Sequence, residues 1–176
     1  MPSIFSHGIA AFALGKATLF KKQSWKILLL GVVCSMVPDA DSIGYFMGVP
    51  YSSMWGHRGI THSFFFAFLW ALLMMWLFFR SAKPSKGEWW LLLLYFFLAT
   101  ASHPILDAMT SGGLGVAFFA PFDNTRYFFP WRPIKVSPMG AKAFFSTRGL
   151  KTIQSELLWI WLPSVLVIVW CWRKKS

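Results

Sequence analysis

The chain predicts an all-α fold embedded in a membrane: a bundle of about four to five apolar helices, with a long proline-rich loop and a surface helix. Three observations carry that reading. Of 176 residues, 56% are hydrophobic and only 13% charged, a balance too apolar for an ordinary soluble domain of this length. The apolar residues fall in runs closed by basic residues, as at Arg80 and at Arg173-Lys174-Lys175. Trp25, Trp89, Trp90, Trp159 and Trp172 lie near run ends, where indole rings gather at a headgroup boundary.

The first run, Ile4 to Phe20, carries Gly8, Ala10, Ala11, Ala13, Gly15 and Ala17, which allow close approach to neighbouring helices, and it ends at Lys21-Lys22. The second, Trp25 to Val37, is expected to stop at Pro38, giving about 20 Å of helix, short of a hydrocarbon core of about 30 Å. The third, Ser63 to Phe79, and the fourth, Trp89 to Leu106, each cover about 26–27 Å. The fifth, Leu157 to Trp172, meets the basic C-terminal stop. Between the last two, Pro121, Pro130, Pro133 and Pro138 oppose helix, whereas Ala141 to Ser155 suits a surface helix leading into the final span. With no repeat or low-complexity tract, residues 1–176 read as one domain. Cys34 and Cys171 sit inside apolar runs as small core residues, with no disulfide or metal spacing.

The net charge of +11 comes from residues dispersed in short flanks, which suits anionic lipid headgroups and not nucleic acid. If each run crosses once, one face collects Lys16, Lys21, Lys22, Lys26, Arg80, Lys83, Lys86 and the C-terminal trio, and the positive-inside rule makes that face cytoplasmic. Arg58 and six basic residues between 109 and 156 vote the other way, but the length of that stretch weakens their vote.

The opposite, external face receives every histidine of the chain and three of its six acidic residues: His7, Asp39 and Asp41, His57 and His62, then His103 and Asp107. Ionisable groups near lipid are costly and are kept for function. His103 and Asp107, four apart, project from one side of a helix end. Asp39 and Asp41 lie close enough to repel unless a cation lies between them. Gly59 allows a tight bend between His57 and His62. Taken singly, each group has a structural explanation in local hydrogen bonds. Together they form a donor set for a divalent metal, with zinc the first choice, manganese or magnesium as alternatives, and two or three ions within the ligand count. Such a site activates water for attack on a phosphoester. An aspartate not saturated by metal, Asp39 or Asp41, is the candidate general base, and Arg58 or Arg132 the group that balances developing charge. Arg58, Arg126, Arg132 and Lys135 are the candidate contacts to an anionic substrate, with Tyr127, Phe128, Phe129 and Trp131 interleaved.

Ser6-His7, Pro38-Asp39-Ala40-Asp41, His57-Arg58-Gly59-Ile60-Thr61-His62-Ser63, Ser102-His103-Pro104-Ile105-Leu106-Asp107, Pro121-Phe122 and Trp131-Arg132-Pro133, in this order, resemble the YdjM-like family. These are bacterial inner-membrane proteins described as LexA-regulated, predicted metal-dependent hydrolases. The resemblance implies His7, Asp39, Asp41, His57, His62, His103 and Asp107 as the polar site. More distantly, the His-x-x-x-Asp helix is similar to zinc-dependent phospholipase C and the single-strand nucleases of its superfamily, without their later His-x-x-x-Glu pair. The expected function is therefore a membrane-bound hydrolase of a phospholipid or lipid-linked phosphoester. The alternative is a non-catalytic metal protein, structural, sensor or transporter. Transport fits least, because the middles of the third and fourth runs offer almost no polar residues.

Overall fold

The structure is a computed structural model describing residues 1–19, 24–81, 84–138 and 144–174. Lys21, Lys22, Lys83 and Lys175, expected as cytoplasmic flanks, and residues 141–143 of the expected surface helix lie outside the described residues.

The described residues are helical with no strand, and the all-α expectation holds. Helix α1 is Ile4–Thr18 and α2 is Trp25–Met36. From α2 the chain continues through a 3₁₀ turn, Val37–Asp41, into the short α3, Ser42–Phe46. The α-helix ends at Met36, ahead of Pro38 as expected, and Pro38 lies at the start of the 3₁₀ segment that carries the helical path on. The helical path Trp25–Gly44 is 20 residues, long enough to cross a membrane, which corrects the expected short span.

A second 3₁₀ turn, Ile60–His62, precedes α4, Phe64–Phe79, whose first turn is capped by the Ser63 hydroxyl accepting from the Phe66 N–H. Helix α5, Lys86–Ala108, starts at a reciprocal capping box in which Ser85 and Glu88 each accept from the other's backbone N–H. The surface helix and the last run form one helical rod: α6, Thr147–Glu156, passes through a π-helical turn, Leu157–Trp161, into α7, Leu162–Arg173. Among the described residues, three paths are long and apolar enough to cross a membrane: Trp25–Gly44, Lys86–Ala108 and Thr147–Arg173. Helix α4 is shorter and apolar throughout.

Helix α5 packs against α1, α2 and α4, while α7 packs on α1. Tyr95, at the centre, is fully buried, and its hydroxyl donates toward the carbonyls of Ala11 and Leu28 at 3.4 and 3.3 Å. That approach is possible because Gly31 of α2 has no side chain; a Cβ there would overlap the Tyr95 ring. We expect Gly31→Ala to destabilise the fold by about 1–3 kcal/mol through overpacking, read as a lower thermal midpoint in detergent. An unchanged midpoint would show that the contact yields freely.

Residues 109–138 form no helix and wrap over one end of the bundle. Isolated bridges pair Thr110 with Ile134 and Val116 with Tyr127. The Phe64 N–H donates to Phe118 O, and the Ala117 N–H donates to Arg58 O, both at 3.0 Å. The wrapping stretch is thus tied to the segment that carries His57 to His62. Cys34 and Cys171 are buried free thiols.

Candidate metal centre

Four segments converge at this end. Helix α1 supplies His7, the turn after α2 supplies Asp39 and Asp41, the segment before α4 supplies His57, Arg58 and His62, and the last turns of α5 supply His103 and Asp107. The side chains of His7, His62, His103 and Asp107 are wholly buried, whereas that of Asp39 keeps 11% exposure.

Hydrogen bonds decide which imidazole nitrogen is free. His103 Nδ1 lies 2.7 Å from the Ser35 carbonyl and must donate to it, which leaves the lone pair on Nε2, 3.2 Å from Asp39 Oδ1. His62 Nδ1 faces Asp41 Oδ2 at 3.1 Å, and its Nε2 lies 3.7 Å from Asp39 Oδ1 and 3.5 Å from Asp107 Oδ2. His7 stacks on His103 with ring centroids 3.7 Å apart, its Nε2 3.6 Å from Asp107 Oδ1. Burial opposes protonation of His62, but Asp107, Asp39 and Asp41 outweigh it and raise its pKa well above the ordinary imidazole value.

Asp39, His62, His103 and Asp107 each offer a ligand atom within 4.8 Å of all the others. Adjacent ligands on a tetrahedral ion with bonds near 2.0–2.1 Å sit roughly 3.3 Å apart. The edges of 3.2, 3.5 and 3.7 Å bracket that spacing. His62 Nε2, His103 Nε2 and both carboxylate oxygens of Asp39 and of Asp107 are buried without a hydrogen-bond partner, as are both nitrogens of His7. Buried polar atoms are ordinarily paired, so this convergent set fits a cation held among them. The residues present therefore suit a divalent metal.

The other expected site residues take different places. Asp41, His57 and His62 also lie within 4.8 Å of one another, but Asp41 Oδ1 and His57 Nδ1 are 2.6 Å apart, a hydrogen bond too short to span an ion. Arg58 is buried with its guanidinium turned inward: it donates to Gly112 O at 2.9 Å and Thr110 Oγ1 at 3.1 Å, and its Nε is 2.9 Å from Asp107 Oδ2. Arg126 donates through its two terminal nitrogens to the carbonyls of His57, Tyr51 and Ser53, which ties it to the loop. Arg132, stacked on Phe128, and Lys135 remain exposed on the wrapping stretch.

A family model described as YdjM inner membrane protein matches residues 1–176. The chain belongs to the YdjM family. A relative from Escherichia coli (strain K12), named inner membrane protein YbcI, is 35% identical over 175 residues, covering 99% of each chain. No solved structure matches, and the further similarity to zinc-dependent phospholipase C finds no support among these matches. YdjM membership and the three long apolar paths place the protein in an inner membrane.

Sequence reasoning missed Glu156. It is fully buried, and its carboxylate accepts from the Ser3 N–H at 2.5 Å, the Ser3 hydroxyl at 2.6 Å and the Ser6 hydroxyl at 2.8 Å, while Ser6 Oγ also accepts from Trp161 Nε1 at 2.8 Å. This network ties the start of α1, and so His7, to the last helix of the YdjM fold. The available signal was a lone acidic residue between 124 and 176, at the head of an apolar run. Glu156→Leu is expected to cost about 1–3 kcal/mol by orphaning buried donors. Thermal unfolding in detergent checks this, and a wild-type midpoint would refute it.

Proposed function

We propose that the protein is a membrane-bound, metal-dependent hydrolase that cleaves a phosphoester of a phospholipid or lipid-linked substrate. The observation that carries the reading is the set of buried, unpartnered imidazole and carboxylate atoms of Asp39, His62, His103 and Asp107, with His7 beside Asp107. A divalent ion bound there would activate water and stabilise the oxygens of a phosphoester. Zinc suits the mixed nitrogen and oxygen donors.

Asp39 is the partly exposed member of the set, and its Oδ2 has no protein partner, which makes it the residue suited to accept a proton from water. Arg58 holds positive charge against Asp107. Arg132 and Lys135, exposed on the wrapping stretch, suit an anionic headgroup. A crevice of about 510 Å³ with all-phenylalanine walls, among them Phe64, Phe97, Phe118 and Phe122, begins two residues from His62 and suits a hydrocarbon chain. The basic flanks support a cytoplasmic C-terminus and an external site; a reporter fused at the C-terminus is expected to read as cytoplasmic.

The full burial of His62, His103 and Asp107 favours a second reading, a closed structural metal site. Purified protein loaded with zinc, assayed on phospholipids, prenyl phosphates and simple phosphodiesters, separates the two. Turnover that disappears on chelation supports the hydrolase. Stoichiometric metal with no turnover on any of them would favour the structural site.

A further inference from the structure

We infer that Asp41 and His57 are positioning residues that fix the tautomer and orientation of His62 for the ion, while Arg126 locks the loop that carries them. The inference rests on the metal-centre reading of Asp39, His62, His103 and Asp107, and it assigns two expected ligands to a different task.

Asp41 is already fully engaged by donors. Its Oδ1 accepts from His57 Nδ1 at 2.6 Å, and its Oδ2 accepts from the Thr61 hydroxyl at 2.6 Å and the Arg58 N–H at 3.2 Å, while Thr61 Oγ1 in turn lies 3.1 Å from His62 Nδ1. A carboxylate has about four lone-pair sites. Binding a cation directly would break one of these bonds in a part-buried setting. The same bonds do something specific for His62: the Thr61 hydroxyl spends its proton on Asp41 and so accepts from His62 Nδ1–H at 3.1 Å, which leaves Nε2, buried without a hydrogen bond between Asp39 and Asp107, as the nitrogen that faces the ion. Metal-ligating histidines are oriented in this way by a carboxylate or carbonyl on the far nitrogen. His103 shows the carbonyl version, through Ser35. His62 shows a carboxylate version relayed through the Thr61 hydroxyl, with His57 holding the carboxylate in turn.

The segment carrying His57 is built to stay in place. Arg126 donates to three of its carbonyls, those of Tyr51, Ser53 and His57, at 2.8–3.1 Å, and lies over the Tyr51 ring, which meets the His57 ring edge-on. Cβ atoms at Gly56 and Gly59 would overlap the carbonyls of Pro50 and Met54, so this segment folds backbone against backbone. Arg58 adopts φ +64°, in the left-handed region, which lets its N–H reach Asp41 while its side chain reaches Asp107.

The test measures zinc affinity of the full-length protein in detergent by competition, and ligand number by cobalt substitution spectra. Asp41→Asn is expected to weaken binding about 10–100-fold with the ligand number unchanged. His57→Asn, whose amide N–H sits where Nδ1–H did, should retain near wild-type affinity, and His57→Ala should not. If either residue is a ligand, Asp41→Asn or His57→Asn will lose a ligand band, and the inference falls. Wild-type affinity in Asp41→Asn and His57→Ala alike would also overturn it. A wild-type protein that binds no zinc or cobalt would instead overturn the metal centre itself, which separates the two failures.

Discussion

Asp107→Ala should lose stoichiometric metal and should destabilise the fold by about 3–5 kcal/mol, the cost of leaving a buried charge without its partner. Asp107 is fully buried and meets three groups at once: Arg58 Nε at 2.9 Å, His62 Nε2 at 3.5 Å and His7 Nε2 at 3.6 Å. Without the carboxylate, the Arg58 guanidinium keeps its bonds to Gly112 O and Thr110 Oγ1 but has no anion beside it. The metal loses the one ligand that faces both His62 and His7. Metal content by elemental analysis and thermal unfolding in detergent read the two effects separately. A double variant, Arg58→Met with Asp107→Leu, should recover much of the stability, because an apolar pair replaces a buried ion pair at little cost, yet it should still lack metal. Asp107→Ala with full metal content would remove Asp107 from the centre, and an unchanged midpoint would show that Arg58 finds another counter-charge.

Much of this site was legible because helices impose simple geometry. His103 and Asp107, four residues apart, had to share one side of α5, and their place at the end of an apolar run put them at the membrane boundary. The ends of the other runs then delivered His7, Asp39 and His62 to the same boundary. The division of labour was not legible. Whether Asp41 faces a cation or His57 depends on tertiary contacts at the scale of one hydrogen bond, and sequence spacing carries no such information. Arg126 looked like a phosphate contact because it lies among aromatics in a basic stretch. Its terminal nitrogens also donate to carbonyls of an irregular segment, which need donors that no regular secondary structure supplies, and that role had no sequence signal. Pro38 ends α2 as expected, but the chain goes on through a 3₁₀ turn into α3, so the helical path outruns the α-helix.

Adding zinc to metal-stripped protein should raise the thermal midpoint by about 5–11 °C when free zinc reaches 100 times its dissociation constant. Ligand binding to the folded state alone contributes about 2.7 kcal/mol at that ratio, and about 2–4 °C per kcal/mol is usual for a chain of this size. The structure supplies the reason that folded protein binds better. Asp39 and Asp107 are brought together from segments nearly seventy residues apart, with His62 Nε2 between them at 3.7 and 3.5 Å. An unfolded chain holds no such arrangement, and a folded one without a cation keeps their oxygens buried and without hydrogen bonds. Magnesium should shift the midpoint far less, because it prefers octahedral oxygen coordination and retains its waters, whereas half of this four-residue set is imidazole. Asp39→Ala should abolish the zinc shift while leaving the Arg58–Asp107 pair in place. An equal shift from zinc in wild type and in Asp39→Ala would mean that the ion binds elsewhere, since Asp39 Oδ1 lies beside both His62 Nε2 and His103 Nε2.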